Sequence, residues 1–196
     1  MGGLGNDYNP ERLKWCLDRQ KLLNYVHHDD VSPLSYIGPN VKMGKFCRVK
    51  PFSSIGPKGF SFAFHRDGTP EEMVHTGGVI IGDYVEIGAL CTVAGGTIID
   101  TVLGDHTKLD DHIHIAHNCI IGKNCIFAAS ASLGGGVVMQ DNVWIGLNAT
   151  INNKVHVGKW AVIGSGATVI NDVPDYAVVA GCPAKVLRYR DVPPQA

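Results

Sequence analysis

From Leu103 to Val169 an aliphatic or large apolar residue falls at every sixth position: Leu103, Leu109, Ile115, Ile121, Phe127, Leu133, Met139, Ile145, Ile151, Val157, Ile163 and Val169. From Leu109 onward a second, usually smaller apolar residue follows four places later: Ile113, Cys119, Cys125, Ala131, Val137, Val143, Ala149, Val155, Ala161 and Ala167. The residue directly after the aliphatic one is often glycine, as at Gly122, Gly134, Gly146, Gly158 and Gly164. A helix repeats every 3.6 residues and an alternating strand every 2, so neither yields a strict six. The spacing predicts a triangular coil in which each hexad supplies one short strand and one corner, three hexads to a turn. Stacked turns then hide the aliphatic and the small residue of every hexad inside a narrow prism.

The same period appears earlier as Ile37, Met43, Val49 and Ile55, and again as Ile81, Ile87, Val93 and Ile99. Two irregularities break it. Residues 57–80 form a long insertion, and Ile99 to Leu103 is a step of four. A long loop interrupting a regular scaffold is more often functional than accidental. Ahead of the repeat, Asn9-Pro10 followed by Glu11 to Val26 reads as an α-helix, with Pro10 at its start and Leu13, Cys16, Leu17 and Leu23 as a rough apolar face. The chain is thus expected to comprise a helical cap over the first coil (1–30), a β-helix with an inserted loop (31–173) and a tail wrapped across the last coil (174–196).

Composition agrees with this reading. The 196 residues suit one domain, and 24 glycines with 10 prolines are too many for a helical protein. Lys and Arg total 17 against 18 Asp and Glu, so no basic stripe offers itself to nucleic acid. No apolar run reaches the roughly 18 residues that span a bilayer, and no signal-peptide core is seen, so a soluble cytoplasmic protein is expected. Cys47, Cys91, Cys119 and Cys125 fall in the small inward slot, which favours buried packing over metal binding, and no CxxC pair is present.

The densest polar cluster is Asp110-Asp111-His112-Ile113-His114-Ile115-Ala116-His117-Asn118. With Leu109, Ile113 and Ile115 inward, His112, His114 and His117 face outward, where they serve either as solvated surface groups or as an acid–base site. One coil beyond His117 is Gly135, within Gly134-Gly135-Gly136. A glycine run above a histidine would pair a base with open backbone N–H groups, an oxyanion hole, although a tight corner explains the glycines equally well.

At this point the residues resemble a family. Gly59-Phe60-Ser61-Phe62, Gly78-Val79-Ile80-Ile81-Gly82-Asp83 followed by Val85-Glu86-Ile87-Gly88-Ala89, and Leu109-Asp110 with Ile115-Ala116-His117-Asn118 resemble the lipid A pathway N-acyltransferase, a hexapeptide-repeat enzyme that acylates a UDP-glucosamine derivative. The resemblance implies a left-handed parallel β-helix, all-β apart from the short N-terminal helix, working as a homotrimer. It also implies His117 as general base, Asp110 as the residue that orients it, and the Gly135 amide as oxyanion donor. Further on, Asn142-Val143-Trp144-Ile145-Gly146 and Gly181-Cys182-Pro183-Ala184-Lys185-Val186-Leu187-Arg188 resemble the acetyl-CoA motifs of sugar acetyltransferases. By that resemblance Trp144, the Ser165 backbone, Lys185 and Arg188 line a CoA channel.

There are departures. The lipid A enzyme has an N-terminal uridine-binding domain and a C-terminal helical extension that find no match, and its second histidine is replaced by Lys154, with His156 two residues away. These favour acetyl transfer from acetyl-CoA to the amine of a nucleotide-linked amino sugar, in lipopolysaccharide or other glycan synthesis, without a metal. The sugar is expected against the 57–80 loop, near Phe60, Phe62, His65 and His75, with His114 a further contact. Sugar O-acetylation and transfer from acyl carrier protein are the alternatives. A γ-type carbonic anhydrase, with zinc on His112, His117 and His75, is a more distant rival.

Overall fold

The computed structural model describes residues 9–22 and 29–191. Short parallel strands stack into three faces of a prism. The first face carries Asp30–Val31, Arg48–Val49, Glu86–Ile87, Lys108–Leu109, Ile126–Phe127, Trp144–Ile145, Val162–Ile163 and Ala177–Ala180, closed by the antiparallel strand Lys185–Tyr189. The second runs through Tyr36–Ile37, Ser54–Ile55, Thr92–Val93, His114–Ile115, Ser132–Leu133, Thr150–Ile151 and Thr168–Val169. The third contains Val41–Met43, Val79–Ile81, Thr101–Leu103, Ile120–Ile121, Val138–Met139 and His156–Val157. This is the left-handed β-helix that the hexads anticipate.

The register follows from what the prism will hold. Residues eighteen apart pair along most of each face, as in Lys108↔Ile126↔Trp144 and His114↔Ser132↔Thr150. Leu103 and every sixth residue after it, to Val169, are at most 4% exposed, and the small slot from Ile113 to Ala167 is equally hidden. Cys47, Cys91, Cys119 and Cys125 lie there as free thiols. Burial pushes the Cys119 thiol up to about 11 and Cys125 to about 12, because no medium solvates the thiolate.

Most turn corners use one residue with positive φ, among them His106, His112, Asn118, Asn124 and Asn142 at 57 to 63°. The glycine after the inward aliphatic residue has a separate cause. Asp141 Oδ1 accepts from the Lys123 N–H at 2.8 Å, and a Cβ on Gly122 would meet that same oxygen at 2.4 Å. Glycine there clears the way for a carboxylate or carboxamide of the next coil to cap the corner amide.

Both irregularities occur where the second face turns into the third. The insertion leaves after Ser54–Ile55, folds into a small antiparallel hairpin of Phe62–Phe64 with Pro70–Glu72, and returns to Val79–Ile81. Leu103 holds the inward place of its coil, whereas Ile99, expected inward, is 54% exposed. The four additional residues bulge outward, and they carry Ile99 with them.

The helix spans Pro10–Leu22; the expected continuation to Val26, including Leu23, lies outside the described residues. No helix residue is buried, and Leu13 and Leu17 remain about half exposed, so this face does not seal the first coil, where Ile37 is also 37% exposed. Instead Arg12 and Cys16 border a groove along the first face. Val173 departs from the repeat as a single bridge to Val157, and the tail turns back to add the Lys185–Tyr189 strand.

Candidate active site

His117 stands at the corner that leaves the second face, directly after Ile115 has pointed inward. Its Nδ1 lies 2.8 Å from Asn118 Oδ1. That oxygen also accepts from the Thr97 N–H at 3.1 Å and the Thr97 hydroxyl at 2.7 Å, while Asn118 Nδ2 donates to the Ile99 carbonyl. The orientation of the carboxamide is therefore set by backbone groups, and an oxygen facing Nδ1 requires the proton on Nδ1. The Nε2 lone pair of His117 is left as a base. The outward bulge of residues 94–100 has its purpose here: it brings Thr97 to Asn118.

The orienting role expected of Asp110 is not seen within the chain. Asp110 follows Leu109 on the first face and lines the groove with Lys108, Phe127 and Trp144. Seven residues are one hexad plus one, which places the two side chains at different corners. Asn118, not Asp110, is the side chain paired with His117 Nδ1.

Gly135 stacks on His117 as the register anticipated, but its amide is not open. It donates to Asn153 Oδ1 at 3.1 Å, while Gly134 and Gly136 donate to the carbonyls of Ile151 and His117. The need for glycine is steric: a Cβ at 135 would stand 2.6 Å from His117 Cε1 and 2.7 Å from Nε2.

His117 lines a cavity of about 480 Å³ together with Gly59, Phe60, Thr92, His114, Ser132, Gly135, Thr150, Asn152 and Asn153. Its hydroxyls come from one row of the second face, since Thr92, His114, Ser132 and Thr150 are register partners. The His114 side chain is exposed at the cavity wall, and partial desolvation there disfavours its cationic form and sets it below the ordinary imidazole value. The insertion closes one side. A Cβ on Gly59 would fall 2.8 Å from His117 Cβ and 3.0 Å from His75 Nε2.

His75 packs edge-on to His117 with ring centres 6.1 Å apart, its Nδ1 committed to the Met73 carbonyl. Phe60 borders the cavity, Phe62 packs edge-on to Phe60 outside it, and His65 pairs with Glu71 across the hairpin. His112 stands at another corner with φ of 63°, so the His75, His112 and His117 set required by a zinc anhydrase is not assembled. Among the described residues no group of three or more His, Cys, Asp or Glu is arranged to hold a metal.

Trp144, Ser165, Lys185 and Arg188 cluster by face, but not with His117. Trp144 projects from the first face into a groove of about 1140 Å³, and Ser165 is exposed at the corner after Val162–Ile163. Lys185 and Arg188 are exposed on the last strand of that face. Thr97 and Asn153 are the residues around His117 that the sequence did not single out, whereas Asn118 stood in the quoted motif without a role of its own.

Residues 100–135 match the family model of the bacterial transferase hexapeptide (six repeats). The chain thus carries the hexapeptide repeat of this family over those residues. It is 38% identical over 140 residues to UDP-3-O-acylglucosamine N-acyltransferase 2 of Rhodopseudomonas palustris, covering 71% of this chain and 37% of that protein. With the UDP-3-O-acylglucosamine N-acyltransferase of Campylobacter concisus it shares 35% over 127 residues, covering 65% and 40%. The chain thus spans about two fifths of the length of these curated relatives. In fold it is similar to a UDP-N-acetylglucosamine acyltransferase of Bacteroides fragilis, with a TM-score of 0.73 and 24% identity over 83% of this chain and 61% of that one. Among the described residues no helix is long and apolar enough to cross a membrane.

Proposed function

We propose that the chain is an acyltransferase that moves an acetyl group from acetyl-CoA to the amine of a nucleotide-linked amino sugar, with His117 as general base. One observation carries this reading: an imidazole whose Nδ1 is held by Asn118 lines a cavity together with the hydroxyls of Thr92, Ser132 and Thr150. In the proposed step, Nε2 takes a proton from the sugar amine as the nitrogen attacks the thioester carbon. Collapse of the tetrahedral intermediate breaks the C–S bond, and the thiolate leaves with that proton. No metal or covalent enzyme intermediate enters.

The amine acceptor is supported by the N-acyltransferase names of the relatives. The short acyl group is supported by the resemblance of the Trp144 and Lys185–Arg188 segments to acetyl-CoA motifs; the cavity itself offers both hydroxyls, from Thr92, Ser132 and Thr150, and apolar surface, from Phe60, Ala94 and Ala116. The separation of faces supports a homotrimer: a neighbouring copy that laid its first face along the second face of this chain would bring Trp144, Ser165, Lys185 and Arg188 toward His117. Lys185 and Arg188 would then meet the phosphates of CoA. Such a protein would act in the cytoplasm, where nucleotide sugars and acetyl-CoA are available, in lipopolysaccharide or other glycan synthesis.

Sugar O-acetylation uses the same base, and acyl carrier protein is the rival donor. The test is thiol release from acetyl-CoA and from acyl-carrier-protein thioesters with a panel of UDP-linked amino sugars and their hydroxyl counterparts. Turnover of acetyl-CoA with an amino sugar is expected. Turnover confined to carrier-protein thioesters, or to hydroxyl acceptors, would overturn the donor or the acceptor assigned here.

A further inference from the structure

A second cavity, of about 340 Å³, shares a wall with the one that His117 lines. Tyr36, Asn40 and Gly56 border it, together with the neck of the insertion at Pro57 and Lys58. Lys58 lines both cavities, so it stands on the boundary between them. The backbone on either side of Lys58 is fixed. The Pro57 carbonyl accepts from the Gly95 N–H at 2.8 Å, and Gly59 is wedged where a Cβ would fall 2.8 Å from His117 Cβ and 3.0 Å from His75 Nε2.

Register measures the separation of the two cavities. Thr92 of the His117 cavity, then Ser54, then Tyr36 are successive outward residues of the second face. Strands of adjacent coils lie about 4.8 Å apart, so Tyr36 stands roughly 10 Å from Thr92, toward the first coil. A diphosphate and a ribose laid end to end have about that length. Along the rest of this row, from Ser54 to Thr168, the outward residues are Ser, Thr and His. Tyr36, 53% exposed, is therefore the broadest flat surface that the row offers.

We propose that the second cavity receives the nucleoside diphosphate portion of the acceptor, with the base stacked on Tyr36 and the diphosphate held by Lys58, while the amino sugar enters the cavity of His117. The inference rests on the acyl-transfer reading and gives the nucleotide a place. Every base has a flat face, so an aromatic ring grips it without reading its hydrogen-bonding edge. A lysine ammonium is a point charge suited to phosphate oxygens. Lys58 Nζ pairs with Glu72 at 2.6 Å, and both side chains are about half exposed. Water screens such a pair, so a diphosphate, with its greater charge, can displace the carboxylate.

The probe is UDP alone, titrated by calorimetry into the full chain, with turnover of the UDP-linked amino sugar measured beside it. The unmodified protein is expected to bind UDP. Tyr36→Ala and Lys58→Met are each expected to weaken that binding about tenfold and to raise KM for the sugar nucleotide by a similar factor, with kcat and the KM for acetyl-CoA within roughly twofold. Tyr36→Phe keeps the ring and should retain the affinity, whereas Glu72→Gln frees Lys58 and should raise it by up to about fivefold. Thr168→Ala, at the far end of the same row, should leave it unchanged. Absence of UDP binding at millimolar concentration, unaltered affinity in either Tyr36→Ala or Lys58→Met, or an equal loss in Thr168→Ala would overturn the assignment. Failure of the underlying reading looks different: UDP would bind as described while no acyl donor was turned over.

Discussion

The imidazole of His117 occupies the space that a side chain at residue 135 would need, with the would-be Cβ 2.6 Å from Cε1. Strands of adjacent coils are only about 4.8 Å apart, so a ring lying between two corners excludes everything but glycine above it. Gly135→Ala is therefore expected to displace the ring and lower kcat at least roughly tenfold, with little change in thermal midpoint, since residue 135 lies outside the prism. Wild-type kcat in a folded Gly135→Ala protein would contradict this placement of the ring.

Asn118 holds the tautomer of His117 and is itself held by Thr97 and the Ile99 carbonyl. In Asn118→Ala the Nδ1 proton loses its acceptor, and the ring is free to turn. The expected result is a fall in kcat of about tenfold to a hundredfold, within the range that general-base catalysis contributes. Nitrogen NMR of the imidazole should show an Nδ1–H tautomer in wild type and a mixture in the variant. An Nε2–H tautomer in wild type would remove the base from the site.

The prism was legible because its inward positions obey one period that burial enforces at every coil. Ile99 escaped that rule: its composition suits the core, but the four-residue bulge that brings Thr97 to Asn118 takes it outside. His117 and its stacking on Gly135 were readable from register. The state of the Gly135 amide was not, because it depends on a side chain one further coil away, at Asn153. Asp110 was carried over from a family motif, and nothing in the hexad period places it near His117.

The inward cysteines offer a check on the core. Cys47, Cys91, Cys119 and Cys125 are buried, and their thiols are pushed upward by that burial, whereas Cys182 is exposed and Cys16 partly so. A thiolate is the reactive form, so a thiol-directed reagent near neutral pH should modify Cys182 and Cys16 in the native protein and the other four only on unfolding. Rapid native labelling of Cys119 or Cys125 would show that the coil is not closed around them.

His114 links the cavity to pH. Partial desolvation holds this exposed-face histidine below the ordinary value near 6.5, so the unfolded chain takes up this proton at higher pH than the folded one. Its contribution to stability is then complete above the unfolded value and lost as pH falls through the lower folded one. An NMR titration should place the His114 midpoint below about 6.5, and His114→Gln should flatten the loss of stability between about pH 7 and pH 5. A midpoint above the free value would mean that an anion faces the ring.

Most direct of all is the thiol-release rate of His117→Ala beside that of the unmodified protein, with acetyl-CoA and an accepted amino-sugar nucleotide. Loss of a general base removes about 10²–10⁴ of rate, so kcat should fall by at least a hundredfold in a protein that remains folded. Turnover within a few-fold of wild type in that variant would contradict His117 as the base and, with it, the chemistry assigned to this corner of the coil.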